Sequence, residues 1–317
     1  MTFRYRALGL DILAPFACSG FWPVERATMG REIVLELGSV PLALEAPICV
    51  RPLTMIDAQG TALHRVPGVA RYLISERRRI VIDLAPGGPL TRAIDYLRGT
   101  PLAILCLQHG LTPLAAASVR VGDKALLLGG AVNAGRSTMA LALTQQGHRL
   151  MADDICALDV SNREAGPRIW PSFPEARIWP ETLAALNLPA SAAPPTLGGR
   201  LIVAAEPWFE PEPWPVDRLV ILLEAKSRDG CRIERPRGAM KFESAMNLQF
   251  IQNIAKTIVG VPTAMAQVAP LASLLEIREF QSPFDLQRIG ESARRALGAF
   301  GLDGEKGPHP HRNRLGR

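Results

Sequence analysis

Cysteine is scarce in this 317-residue chain: five residues, Cys18, Cys49, Cys106, Cys156 and Cys231, scattered and odd in number. With no C-x-x-C pair, the pattern excludes a zinc ribbon or a disulfide framework and leaves small buried thiols in a reducing cytoplasm as the expectation. Long hydrophobic runs are missing too. Nothing approaches 18 consecutive apolar residues, so no bilayer span and no membrane partner are expected. The opening stretch MTFRYRALGLDILAP has a short apolar patch broken by Asp11 and no clear cleavage site, unlike a signal peptide, and export is not expected. Aromatics are only 6%, and none interleaves with Arg77-Arg78-Arg79 or with the basic residues after Gly304. The net charge of +6 therefore lacks the stacking platform that single-stranded nucleic acid requires. No nucleic-acid partner is expected; an acidic protein or peptide would suit the charge. No internal repeat is visible.

What is present is a globular composition, 48% hydrophobic and 21% charged, in a chain long enough for one large or two modest domains. Residues 1–88 read as β-rich, with a hairpin over Arg71–Ile74 and Ile80–Leu84. Leu90 to His109 has helical spacing that Gly99 and Pro101 interrupt, His109 sits at the helix end, and Gly110 caps it. Leu114 to Arg120 reads as one strand, turning at Gly122-Asp123 into the next. Residues 161–215 are rich in Pro and Trp, and Trp170 to Pro180 reads as an ordered loop before a short helix over Glu181–Leu188. Arg177, the one charge inside that apolar stretch, is a candidate phosphate or substrate contact, or an arginine stacked on Trp. Arg218–Glu224 is a buried-strand run, Gly238–Ile258 an amphipathic helix in two pieces, Leu275–Phe280 a strand and Leu286–Phe300 a last helix. The tail, 303–317, should be disordered; its His309-Pro310-His311 is set aside.

The chemistry concentrates between Val121 and Asp159. Ala125–Leu128 is a short apolar strand, Ser137–Gln146 a helix, and Leu150–Leu158 a second apolar run interrupted by Asp153-Asp154. Between strand and helix, Gly130-Ala131-Val132-Asn133-Ala134-Gly135-Arg136-Ser137 fits G-x-x-x-x-G-K-[S/T] except for the lysine, which is Arg136. Such a loop turns backbone N–H groups toward phosphate oxygens and adds the positive end of a helix. Gly130 and Gly135 meet the steric demand, and Asn133 is among the few residues that enter the left-handed region cheaply. Ser137 would offer a hydroxyl to Mg²⁺, while Arg136 keeps the charge in a longer, planar fork. Misplacing the transferring group by about 1 Å can cost roughly 100-fold in rate. One of Asp153 and Asp154 could ligate Mg²⁺ and the other take a proton from an attacking hydroxyl. The alternative is a packing turn followed by a polar strand end.

Residues 96 to 160 resemble the HPr kinase/phosphorylase family, especially its shorter bacterial relatives, some encoded beside ribosomal-peptide or lasso-peptide genes. The resemblance rests on Tyr96-Leu97-Arg98-Gly99, His109 to Leu114, the loop, Gly147-His148-Arg149-Leu150 and Ala152-Asp153-Asp154, with weaker echoes at Arg65–Val69, Phe173-Pro174 and Arg177–Pro180. It implies an α/β fold, a P-loop-containing core similar to phosphoenolpyruvate carboxykinase over 89–302 behind the β-rich 1–88 region. It implies ATP and Mg²⁺ as cofactors, a cytoplasmic location and a homo-oligomer. The implied partner is a small protein or ribosomal peptide bearing an acceptor serine. By resemblance Gly130, Asn133, Ala134, Gly135, Arg136, Ser137 and Thr138 hold nucleotide, Ser137, Asp153 and Asp154 hold metal, and Asp153, Asp154 and Arg136 are catalytic; His148 could help aim the acids. This chain departs from the family at Arg136, at Val132-Asn133 in place of the usual Ser-Gly, and at Ala115 where relatives commonly carry histidine. The departures keep open a catalytically weakened nucleotide-binding protein acting as scaffold or regulator.

Overall fold

The computed structural model describes residues 1–305 apart from 29, 163, 190–195, 197, 225–230, 283–284 and 303. The expected tail at 303–317 lies, but for Gly304 and Glu305, outside the described residues. Two large sheets and flanking helices make a mixed α/β architecture.

The first sheet has nine strands, all within residues 3–84. Several of its strands alternate as a half-buried sheet should. In Glu32–Leu37 the inward residues are Ile33 and Leu35, and in Ala70–Ser75 they are Ala70, Tyr72 and Ile74. That apolar face is covered by two helices, Leu90–Leu97 and Thr100–Gln108, divided at Gly99 as the sequence suggested. Ile94, Leu97 and Leu102 to Cys106 join the sheet's core, and the Tyr72 hydroxyl donates to the Ala93 carbonyl at 2.7 Å.

The second sheet holds the glycine loop. Strand Lys124–Gly130 runs parallel to Trp214–Glu224, which in turn runs parallel to Glu276–Ser282. Parallel strands are normally covered on both faces, and here they are. Leu126 and Leu128 pack with helices Arg136–Thr144 and Ile289–Gly298 on one side. Ala125 and Leu127 pack with Ala245, Leu248, Val268 and Leu271 on the other. This explains the unbroken apolar run in the sequence.

Two expectations are corrected. Leu114 to Arg120 is not one strand: Thr112–Leu114 pairs with Cys156–Asp159, whereas Ala117–Val121 pairs with Lys124–Gly130 and Arg149–Ala152. The run Leu150–Leu158 is interrupted at Asp153-Asp154 as read: Arg149–Ala152 ends at the acids and Cys156–Asp159 follows them. Within the expected loop Trp170–Pro180, Glu175–Ile178 is a strand paired antiparallel with Leu201–Ala204.

Candidate functional site

The strand Lys124–Gly130 delivers the chain into a bend that only particular residues can follow. Gly130 has φ +139°, Asn133 φ +66° and Gly135 φ +92°, so the left-handed positions fall on two glycines and an asparagine. The Ala134 N–H donates to the Ala131 carbonyl at 3.1 Å and closes the turn. Helix Arg136–Thr144 follows, and the N–H groups of Gly135 to Thr138 find no backbone acceptor among the described residues. These orphan donors at a helix start form a local positive pole. At Gly130 a Cβ would lie 2.6 Å from the Leu222 carbonyl oxygen. Gly130→Ala is therefore expected to destabilise the fold by about 1–3 kcal/mol, read as a lower urea midpoint.

Side chains around the loop divide by direction. The buried Thr138 hydroxyl meets the Thr182 hydroxyl at 3.2 Å. Arg136 donates a guanidinium hydrogen to the Ala115 carbonyl. Val132 stands out at 76% exposure.

The acids come to the loop from the bend between Arg149–Ala152 and Cys156–Asp159. Asp153 is buried, and its Oδ2 accepts the Arg177 N–H at 2.8 Å. Burial, and then the neighbouring Asp154 charge, push its carboxyl up to about 7, partly opposed by the Arg177 N–H, the Ser137 hydroxyl and the Asp154 N–H. Asp154 has φ +62° and is partly exposed, with Oδ1 3.3 Å from the Arg200 guanidinium. Arg200 also donates to Asn133 Oδ1 at 3.3 Å and lies 5.6 Å from the centre of the Trp179 ring. One arginine thus ties the loop tip to the second acid.

Two cavities meet here. The smaller is lined by Asn133, Gly135, Ser137, Thr138, Trp179 and Arg200. The larger, about 410 Å³, reaches past Asp153 toward the first sheet and its covering helices. Arg136, Asp154 and Arg177 line both.

The fold therefore brings together Asn133, Gly135, Arg136, Ser137, Thr138, Asp153 and Asp154, with Gly130 and Ala134 shaping the bend. Arg177 also lines both cavities but pairs with Asp95 and Glu175, each at 3.4 Å, and it is Arg200 that stacks on Trp179. His148 is buried, burial holds its pKa down, and its Nδ1 is unpartnered. His109 ends its helix, with Nε2 2.7 Å from the Arg77 carbonyl. The sequence reading missed Arg200. Its only signal is a lone charge closing a Pro/Gly-rich stretch before the apolar run Leu201–Ala204.

Among the described residues no helix is long and apolar enough to cross a membrane, and no group of three or more His, Cys, Asp or Glu could hold a metal ion. No family model matches the chain, nor does any curated protein. Among solved structures it is similar to the HPr(Ser) kinase/phosphatase from Coxiella burnetii, at 14% identity over 58% of this chain and 93% of that one. The TM-score is 0.28, and a likeness at that level carries no functional weight.

Proposed function

We propose that the chain transfers the γ-phosphoryl group of ATP to a serine hydroxyl on a small protein or peptide. The observation that carries this reading is a buried carboxylate, Asp153, with a proton affinity near neutrality, on the wall of a cleft that meets a glycine loop. A general base works best when its pKa lies near the operating pH. In the step itself the serine oxygen bonds to the γ-phosphorus, the bond from that phosphorus to the β–γ bridging oxygen breaks, ADP leaves, and the hydroxyl proton passes to Asp153. The loop amides, Arg136 and Arg200 supply positive potential around the phosphates.

Mg²⁺ usually takes one or two carboxylates together with substrate phosphates rather than an all-protein cage. The residues fit that habit: a loop hydroxyl, Ser137, lines the same cavity as a partly exposed carboxylate, Asp154, and among the described residues no cluster of three or more His, Cys, Asp or Glu forms a cage. Ser137 and Asp154 would hold the ion, with Asp153 next to them. When bound, the ion neutralises phosphate charge.

A second reading rests on one contact. Arg136 is turned onto the Ala115 carbonyl, which suits a protein that binds nucleotide without turning it over. ATP with Mg²⁺ at about 100 times its dissociation constant should stabilise the fold by about 2.7 kcal/mol, seen as a rise in melting temperature. Ser137→Ala should shrink that rise. Radiolabel transfer to a serine peptide then separates the readings: if Arg136→Lys gains activity that the native chain lacks, the second reading holds. No thermal response to nucleotide would end both.

A further inference from the structure

The larger cavity has a composition that phosphate chemistry does not call for. It holds about 410 Å³, within the range of preformed ligand pockets. Its walls come from three parts of the chain: His64 of the first sheet, the Asp95–Thr100 segment of the covering helices, and the core around Asp153. Much of the lining is apolar. Tyr96, Ile155, Phe173 and Phe250 face it, and so does Val132 of the glycine loop. Apart from Met1, no described large hydrophobic side chain is more exposed than Val132. A valine held out on a loop of this kind does nothing for a polyphosphate. Phe250 is fixed in place: its N–H donates to the Pro113 carbonyl at 3.0 Å, and Ile251 beyond it takes φ +52°, a costly conformation for a β-branched residue.

The charged groups in the cavity are largely matched against one another. Arg98 pairs with Glu175, and Arg177 reaches both Glu175 and Asp95. With Arg136, Asp153 and Asp154 counted, three arginines face four carboxylates, so a charged metabolite would meet no large surplus of opposite sign. What remains on offer are guanidinium donors on Arg136, beyond its bond to Ala115, and the partly exposed Asp95 carboxylate. These suit the C=O and N–H groups of a peptide backbone.

We infer that this cleft is the acceptor site and that it takes a peptide segment in which an apolar residue adjoins the serine, the apolar side chain lodging between Val132 and Phe250 while the hydroxyl meets Asp153. The inference rests on the phosphotransfer reading above and names its substrate class. Full-length protein, radiolabelled ATP and Mg²⁺ would be incubated with acetyl-Leu-Ser-Gly-amide and acetyl-Gly-Ser-Leu-amide, and with the same peptides carrying Asp or Lys for Leu. At least one leucine peptide should label about tenfold faster than its charged counterparts, the scale of burying part of an aliphatic side chain. Val132→Gly, at an exposed loop position, and Phe250→Ala should each cut that preference to under about threefold. Equal labelling of all peptides, a preference that survives both variants, or labelling of free serine but no peptide would overturn the inference. So would no labelling by a chain whose melting temperature still responds to ATP. A chain with no such response overturns the phosphotransfer reading itself, and this inference with it.

Discussion

If the chain transfers phosphoryl groups as proposed, Asp153→Asn should lower the rate by about 10²–10⁴-fold, the usual contribution of a positioned base, and at the same time make the protein more stable at pH 8. The two effects have one cause. Burial raises the Asp153 carboxyl to about 7 in the folded chain, whereas in the unfolded chain it titrates near the ordinary aspartate value of about 4. The fold therefore binds the proton more tightly than the unfolded chain does. The stability contributed by protonated Asp153 is fully present below about pH 4 and is lost as pH rises through about 7. At pH 8 the native chain carries a buried charge that asparagine removes, so the variant should melt higher. At pH 5 both side chains are neutral and the difference should nearly vanish. Transfer by the native protein should rise with pH through about 7 and then level, because the base must be ionised. Melting curves at the two pH values and a pH–rate profile check this. Equal melting shifts at pH 5 and pH 8 would show that Asp153 is not held protonated by its surroundings.

Much of this was legible in the sequence wherever local chemistry decides local form. The apolar run Ala125–Leu128, the glycines at 130 and 135 and the asparagine at 133 required a buried strand and a left-handed bend, and that is what forms. Gly99 and Pro101 divided the two helices where they stand. What could not be read were facts that depend on distant partners. Periodicity joins Leu114 to Arg120 because both pieces are apolar, yet they belong to different strand pairings, and the separation depends on Cys156–Asp159 arriving beside Thr112–Leu114. The strand Glu175–Ile178 was hidden among prolines because its pairing partner, Leu201–Ala204, lies some 25 residues later. The same strand carries the Arg177 N–H that binds Asp153. Half of that acid's setting was thus invisible in one dimension.

Arg98→Ala is expected to cost about 3–5 kcal/mol, the toll of stripping one partner from a buried ion pair. Arg98 is 5% exposed, and its guanidinium lies 5.3 Å from the centre of the Phe21 ring and 5.1 Å from that of Phe173. It donates to Glu175 and to the Ser19 carbonyl, so one side chain joins the first sheet's loop, its covering helix and the strand Glu175–Ile178. Glu175 is itself mostly buried, and alanine at 98 would leave it, among the described residues, with the 3.4 Å ion pair to Arg177. Replacing both partners with apolar residues, Arg98→Met with Glu175→Leu, should recover most of the loss, because it removes the stranded charge along with its partner. Urea melts of the two single variants and the double give the cycle. The consequence for chemistry runs along the strand: Arg177 sits two residues beyond Glu175, and its N–H lowers the proton affinity of Asp153. Loosening Glu175 weakens that hydrogen bond, so the midpoint of the pH–rate profile should move upward in Arg98→Ala. A midpoint that stays in place while stability falls would make Arg98 a packing residue alone; one that moves back in the double variant would make it the residue that positions the base.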